Sequence, residues 1–142
     1  MELNVKAAIE KAVATEPFAV AMKMQLLSLE DGASVVQMTY EPGSHDNIYK
    51  RAHGGAIYGL IDEAFETAGQ TDGTIAVALN VNVTYVASPL KGDLLRAEAR
   101  RTSQTKKTAG YDIKVTDQNG KLIATCQALA YRTGKPVVFQ AS

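Results

Sequence analysis

The stretch HGGAIYGLIDEAFETAG, residues 53–69, decides the fold of this 142-residue chain. Its apolar residues recur three and four positions apart, which is the spacing of one face of an α-helix. Gly69 follows the last of them and marks the end of the helix. The pattern predicts one long helix with a single apolar stripe, and it puts Asp62, Glu63 and Glu66 on the opposite, polar face. The stripe consists of Ile57, Leu60, Ile61, Ala64, Phe65 and Ala68.

The segments before this helix carry shorter patterns. Helical spacing predicts an amphipathic helix that ends at Pro17, because the residue before a proline disfavours the α region. Alternation then predicts a hairpin that turns at Asp31-Gly32. Residues 41–53 form a loop rich in proline, glycine and polar side chains. The defining residues are Val5, Ala8, Ile9, Ala12 and Val13 for the helix, and Met22, Met24, Leu26, Val36 and Met38 for the two strands.

Everything after Gly73 is typical of antiparallel sheet, and four strands are predicted there. The first alternates strictly from Ile75 to Tyr85, and the turn 117–120 separates the last two. The tail from Gly134 shows little pattern. The later strands are predicted from alternating apolar residues: Leu95, Ala97 and Ala99 in the first, Tyr111, Ile113 and Val115 in the second, and Leu122, Ala124, Cys126, Ala128 and Ala130 in the third.

These elements predict an α+β fold in which a curved antiparallel sheet wraps around the long central helix, with a short N-terminal helix beside it. No linker or repeat divides the chain, so we expect one domain over residues 1–142. The sheet has edge strands that need protection. Pairing with a second copy would cap such an edge, so an oligomer is expected.

Composition excludes several classes of function. Fifteen basic residues balance fifteen acidic ones, which disfavours nucleic-acid binding. One cysteine and two histidines disfavour a metal cluster. There is no membrane-length apolar run or secretory start, so we expect a cytoplasmic protein without a membrane partner. Phosphate-binding, dinucleotide-binding and nucleophile-elbow motifs do not occur, and no cofactor is expected.

The start of the long helix could hold an oxyanion. Gly54 and Gly55 let a ligand approach the backbone, and first-turn amides have no partner within the helix. The alternative is that the glycines only shape a tight junction. Asp62 has two interpretations as well. It is a solvated charge, or its like-charged neighbour Glu66 and a covering surface raise its pKa for base or nucleophile chemistry.

The segment Asn47…His53-Gly54-Gly55…Leu60-Ile61-Asp62-Glu63-Ala64 resembles the hotdog-fold acyl-CoA thioesterases of the phenylacetate-degradation (PaaI-like) subfamily. The resemblance continues to Gly120-Lys121-Leu122-Ile123-Ala124 and covers roughly residues 20–133. It implies hydrolysis of an aryl or medium-chain acyl-CoA without a metal. It also implies a homodimer, and commonly a tetramer, with the site at the subunit interface.

The resemblance also implies roles for single residues. Asp62 matches the carboxylate that attacks the thioester carbonyl or activates water, and the Gly54 N–H matches the group that polarises that carbonyl. Asn47 and His53 match positioning side chains. Arg100, Arg101, Lys106 and Lys107 cluster where relatives often meet the coenzyme A tail. The substrate-binding set is Gly55, Ala78, Tyr85, Lys106, Lys107 and Thr108.

This chain departs from the family pattern at several positions. Ala78 stands where some relatives carry a hydroxyl, and Glu63 and Glu66 add acidity beside Asp62. Further departures are Ile48, Lys50 and Arg51 in the loop before the helix.

Other candidate residues have competing interpretations. His45 is expected to make a surface hydrogen bond, and Cys126 to be a small core residue. Tyr40, Tyr49 and Tyr58 either line an acyl pocket or pack structurally. Two other functions remain open: a non-catalytic hotdog module that binds acyl-CoA or has a regulatory role, and a hotdog dehydratase or hydratase, whose local motif does not occur in this chain. A purely structural protein leaves the spacing from Asn47 to Asp62 unexplained.

Overall fold

The computed structural model describes residues 1–137. The helices are α1 (Leu3–Thr15), α2 (Pro17–Ala21), α3 (Pro42–His45) and α4 (Gly54–Gly69). The strands are β1 (Gln25–Glu30), β2 (Ala33–Thr39), β3 (Thr74–Tyr85), β4 (Leu94–Gln104), β5 (Thr108–Thr116) and β6 (Leu122–Pro136).

Helix α4 confirms the prediction from its apolar stripe. Leu60, Ile61, Ala64 and Ala68 have no exposed surface, and Phe65 packs edge-on against Tyr111 of β5. Each fully buried aliphatic side chain contributes roughly 1.5–3 kcal/mol relative to exposure. The stripe therefore fixes which face of α4 meets the sheet, and with it the direction in which the helix presents its polar residues.

The six strands form one antiparallel sheet in the order β1-β2-β4-β5-β6-β3. A long helix held in a curved antiparallel sheet is the hotdog arrangement, so the predicted fold is confirmed. The limits of the domain, 1–142, stay a prediction. One row of paired residues crosses all six strands: Leu26, Val36, Ala97, Val115, Ala124 and Tyr85.

Strand β3 corrects the prediction of strict alternation. A bulge lies between Ala78 and Asn80, whose partners on β6 are the consecutive residues Ala130 and Leu129. A bulge shifts the side-chain period by one residue. Ala76 therefore packs against the core before the bulge, and Val81 and Val83 pack against it afterwards. Residues Val77 and Leu79, predicted to share the face of Val81, are instead half exposed.

The N-terminal region confirms one prediction and corrects another. Helix α1 ends before Pro17, as predicted, but Pro17 also begins the unpredicted helix α2. Proline is favoured at the first helical position because its missing N–H has no partner there. The first strand consequently begins at Gln25 rather than at Met22, which caps α2.

The C-terminal strand is longer than its pattern indicated. Strand β6 continues through Gly134 to Pro136, and Val137 is buried and donates its N–H to the carbonyl of Gly73. The rest of the tail lies outside the described residues.

Candidate active site

The start of α4 is built around His53. This residue caps the helix, and its Nδ1 accepts the N–H of Gly55 at 2.8 Å. Its own N–H donates to the carbonyl of His45 at 2.7 Å. A Cβ on Gly55 would lie 2.9 Å from Nδ1 of His53. The second glycine is therefore needed for the cap itself, in agreement with the structural alternative for this motif.

Gly54 is the first residue of α4, and its two polar backbone groups differ. Its carbonyl accepts the hydroxyl of Tyr85 at 2.9 Å. Its N–H has no hydrogen-bond acceptor within residues 1–137. The first N–H groups of a helix point outward at the positive end of the helix dipole. The amide is thus a free donor at a position where an oxyanion is stabilised.

Asn47 organises the loop that leads to this helix. Its Oδ1 accepts the N–H groups of Tyr49 at 2.8 Å and Arg51 at 3.1 Å. Its backbone N–H donates to the carbonyl of Arg51 at 2.7 Å. The amide side chain therefore holds the loop shape, and Ile48 and Tyr49 at its tip are largely exposed.

Asp62 lies two turns further along α4, at the edge of a cavity of about 400 Å³ between α4, the start of α2 and strand β3. We call this cavity the carboxylate pocket; its acidic residues are Glu16, Asp62, Glu63 and Glu66. Asp62 is exposed as a residue, but its carboxyl group is partly buried at the cavity. This desolvation, followed by the charge of Glu16, raises the pKa of Asp62.

Glu63 corrects the prediction of a solvated polar face. Its side chain is buried, with 3% of its surface exposed, and its Oε2 has no hydrogen-bond partner among the described residues. Glu16, Glu63 and Glu66 each place a carboxylate oxygen within 4.8 Å of the others. Burial, followed by these neighbouring carboxyl groups, raises the pKa of Glu63 to about 10 and the pKa of Glu66 to about 7.

The close approach of α2 explains why Glu63 is buried. A Cβ on Gly59 would lie 2.7 Å from Cζ of Phe18, so the ring packs on bare helix backbone. Gly59 and Glu63 are one turn apart on the same flank of α4. Phe18 therefore brings the start of α2, with Glu16, over that flank.

Ala78 faces the carboxylate pocket with Ala76 because both precede the bulge in β3. Ala78 and Asp62 therefore line the same pocket. No hydroxyl stands at this position of the chain.

Lys106 and Lys107 lie in the turn between β4 and β5, and Thr108 begins β5. Thr108 pairs with Tyr131, which in turn pairs with Val77 of β3, so this turn is at the Ala78 end of the sheet. Arg132 anchors the turn by donating to the carbonyls of Thr105 at 2.7 Å and Lys106 at 3.3 Å. Neither lysine forms an ion pair within the described part of the chain.

Of the remaining candidates, two have structural roles and one differs from its prediction. Arg101 pairs with Asp31 at 3.1 Å and so belongs to the β1–β2 turn. His45 is buried, not at the surface, and its Nδ1 accepts the N–H of Glu41 at 3.0 Å. Cys126 is a buried core residue, as predicted.

The three candidate tyrosines lie in different environments. Tyr40 is buried and hydrogen-bonds Asp46, so it packs rather than lining a pocket. Tyr49 is exposed at the loop tip. Partial burial, followed by the charge of nearby Asp62, raises the pKa of Tyr58.

The predicted site residues thus form two groups. Asn47, His53, Gly54, Gly55 and Tyr85 surround the start of α4, whereas Asp62 and Ala78 lie at the pocket, with residues 106–108 at that end of the sheet. Eight residues of helix separate Gly54 from Asp62, which is about 12 Å. One thioester carbonyl cannot reach both groups within a single chain.

Sequence reasoning missed Glu16 and Phe18 as pocket residues. Their place depends on α2, a five-residue helix too short for a periodic signal. The available signal was Gly59, since a glycine inside a helix often marks a close approach by another element.

Comparison with known proteins assigns the class. The thioesterase superfamily profile matches residues 49–124, more than half of the chain. The chain belongs to the thioesterase superfamily, and the expected enzyme class, a thioester hydrolase, is confirmed. Within residues 1–137, no helix has the length and apolar character needed to cross a membrane.

The relatives narrow the class to PaaI-like thioesterases. The acyl-coenzyme A thioesterase PaaI of Escherichia coli K12 is 31% identical over 121 residues, which are 85% of this chain and 86% of the relative. The structure of E. coli PaaI, from the phenylacetic acid degradation operon, matches with a TM-score of 0.89 and 27% identity over 95% of this chain and 97% of that one. The protein smu.793 of Streptococcus mutans, bound to acetyl-CoA, matches with a TM-score of 0.75 and 29% identity over 80% and 91%.

Proposed function

We propose that this protein hydrolyses acyl-CoA thioesters to a carboxylic acid and free coenzyme A, with Asp62 as general base or nucleophile and the Gly54 N–H as oxyanion donor. The observation that carries the proposal is the N–H of Gly54 at the start of α4, which has no acceptor among residues 1–137, in a chain of the thioesterase superfamily. Its substrate class follows that of the E. coli relative, whose name specifies an acyl-coenzyme A thioesterase.

The Gly54 amide supplies electrostatic stabilisation. As the thioester carbonyl becomes tetrahedral, its oxygen gains negative charge, and an N–H already aimed outward stabilises that charge without reorganisation. One donor of this kind is worth roughly 2.7–4 kcal/mol in the transition state. The His53 cap and the Asn47 loop hold the donor in place.

Asp62 supplies the second function. As a base, it takes a proton from water while the water oxygen attacks the carbonyl carbon; the C–S bond breaks, and the leaving thiolate receives the proton. As a nucleophile, its oxygen displaces the thiolate to form an acyl anhydride, which water then hydrolyses. Its raised pKa favours proton transfer near neutral pH.

Two subunits are required because Gly54 and Asp62 are too far apart in one chain. Strand β3 is an edge of the sheet, and its outer side is free within the described residues. Ala78 lies near Asp62 at one part of this strand, and Tyr85 contacts Gly54 at its end. Antiparallel pairing of two β3 strands about their middle brings Asp62 of one subunit towards the Gly54 of the other.

A tetramer is proposed from the outer face of the same region. Val77, Leu79, Leu129 and Tyr131 are exposed apolar side chains on β3 and β6. Contiguous exposed apolar surface is typical of protein–protein contacts. Packing of two dimers through this face would bury it.

The coenzyme A tail is proposed to bind at the Lys106–Lys107 turn. Its phosphates need cationic partners, and these two ammonium groups are exposed and unpaired in the described chain. The acyl group, aryl or of medium length, would enter the carboxylate pocket beside Asp62.

Release of free thiol tests the proposal. Purified protein is incubated with aryl and medium-chain acyl-CoA esters, and the thiol is measured with a chromogenic reagent. We expect turnover of at least one ester by the wild type and its loss in Asp62→Asn. Asp112→Asn, which removes an exposed carboxylate from the outer face of β5, is the matched control and keeps activity. Tight binding of an ester that stays intact would instead favour the non-catalytic module.

A further inference from the structure

The carboxylate pocket presents a chemical problem that hydrolysis of a plain acyl chain does not explain. Four acidic side chains border one cavity, and much of its remaining lining is apolar, including Phe18, Phe65, Ala76 and Ala78, with Gln70 as a further polar residue. A pocket for an uncharged aryl or alkyl group has no need of this acidity.

The burial of Glu63 adds to this problem. Its Oε2 is inaccessible to water and has no hydrogen-bond partner among residues 1–137. A buried acceptor left without a partner costs roughly 1–3 kcal/mol. Glu16 and Glu66 each place a carboxylate oxygen within 4.8 Å of a carboxylate oxygen of Glu63, and no lysine or arginine pairs with any of the three among residues 1–137. The cluster therefore has no cationic partner in the described part of the chain.

A divalent metal ion fits this cluster poorly. Calcium usually takes six to eight oxygen ligands, whereas the cluster offers three carboxylates. The cavity of about 400 Å³ is also far larger than a bare ion requires. Its apolar walls suit an organic group, and the two phenylalanine rings can face a cation.

We propose that the carboxylate pocket selects acyl groups whose distal end carries an alkylammonium, with Glu63, Glu66 and Glu16 as the residues that bind it. This inference rests on the proposed function, because the ammonium is placed by the same acyl chain whose carbonyl meets Asp62. The hydrocarbon part lies against the apolar side chains, and the ammonium donates to the carboxyl groups of Glu63, Glu66 and Glu16 that border the cavity.

The length of the acyl chain follows from the helix. Asp62 and Glu66 are one turn apart, and side chains at this spacing have Cβ atoms roughly 5–6 Å apart. Chains with three to six bonds between the carbonyl carbon and the nitrogen bracket this span. 3-Aminopropanoyl-CoA and 6-aminohexanoyl-CoA are therefore suitable probes.

The experiment compares each probe with the thioester in which a methyl group replaces the ammonium, namely butanoyl-CoA and heptanoyl-CoA. Glutaryl-CoA tests an anionic acyl end. We expect kcat/KM for at least one ammonium probe to exceed that of its methyl counterpart about tenfold or more, since a charged hydrogen bond is gained in a buried site. Glutaryl-CoA should be the poorest substrate.

Two variants connect this preference to the pocket. Glu63→Gln and Glu66→Gln should each bring the ammonium-to-methyl ratio towards one, and Glu66, which is more exposed than Glu63, keeps the test valid if the Glu63 variant folds poorly. Glu10→Gln removes an exposed carboxylate from α1 and should leave the ratio unchanged.

The possible outcomes distinguish failure of this inference from failure of the proposed function. Hydrolysis with no ammonium preference, or a preference insensitive to both variants, overturns this inference and leaves the proposed function intact. Stoichiometric binding of Mn²⁺ or Ca²⁺ by calorimetry, lost in Glu63→Gln, would overturn it in favour of a metal site. If no thioester of the panel is hydrolysed, the proposed function fails and the inference falls with it.

Discussion

The hydroxyl of Tyr85 donates to the carbonyl of Gly54 at 2.9 Å, and a Cβ on Gly54 would lie 3.1 Å from Cζ of the same ring. Strand β3 and the start of α4 are thereby joined at the point where a free amide faces outward. Gly54 thus has two separate properties. Its lack of a Cβ lets the ring of Tyr85 pack closely, and its N–H has no acceptor in the described chain.

A pair of substitutions separates these properties. Gly54→Ala adds the Cβ but keeps the N–H, whereas Gly54→Pro adds the pyrrolidine ring and removes the N–H. Proline is tolerated at the first helical position, and His53 already has an extended backbone, with φ −68° and ψ 130°, that suits a following proline. We expect Gly54→Pro to lose roughly 10²–10³-fold in kcat relative to Gly54→Ala. Equal activity of the two variants, both folded by circular dichroism, would remove the amide from the mechanism.

The acid limb of the pH–rate profile tests whether the charge of Glu16 raises the pKa of Asp62. Asp62 is proposed to act in its ionised form, and partial burial followed by the charge of Glu16 raises its pKa. Glu16→Gln removes that negative charge, so the pKa of Asp62 falls and the acid limb of kcat/KM moves to lower pH. Glu10→Gln is the control and should leave the limb in place. A shift to higher pH in Glu16→Gln would contradict the electrostatic assignment.

Stability should fall as the solution becomes more alkaline. The pKa of Glu63 is raised to about 10 and that of Glu66 to about 7, so the folded state holds protons that the unfolded chain has released. Their contribution is fully present below the ordinary glutamate pKa and is lost as pH rises through the folded values. One such proton gives a slope of up to about 1.4 kcal/mol per pH unit.

Urea unfolding between pH 5 and pH 9 measures this slope. In Glu63→Gln the slope should become shallower, because the substituted side chain does not titrate. Glu98→Gln, on the exposed face of β4, is the control. A slope that is equally steep in Glu63→Gln would show that other groups bind the protons.

The lysine turn can be tested through KM. Lys106 and Lys107 are proposed to meet coenzyme A phosphates, and Arg132 holds their backbone in place independently of their side chains. We expect replacement of both by alanine to raise KM several-fold at low salt with little change in kcat, and the difference to shrink as salt screens the charges. Lys91→Ala and Lys121→Ala, at other exposed turns, serve as controls. An unchanged KM would place the coenzyme elsewhere.

The sequence was sufficient to predict those helices and strands whose apolar residues recur regularly along one face. Helix α4 and the buried faces of β4 and β5 follow their apolar residues closely. In β3, both faces carry apolar or small residues, so the bulge after Ala78 left no trace in the alternation.

The candidate site was less predictable where it depends on contacts between distant segments. Glu63 has the composition of a surface residue and is buried only because Phe18 packs on Gly59 and brings α2 over that flank. The separation of Gly54 from Asp62 is readable from the sequence as soon as a helix is assumed. Their proposed approach across a subunit interface depends on a second chain and so has no signal in one sequence.

Mixing two inactive variants tests the central claim most directly. Gly54→Pro and Asp62→Asn proteins are unfolded together, refolded as a mixture and assayed for thiol release. If each site uses the amide of one subunit and the carboxylate of the other, mixed dimers contain one intact site, and about a quarter of the wild-type activity returns at equal amounts. Activity no greater than that of either variant alone, with mixed dimers present, would contradict a shared Gly54–Asp62 site.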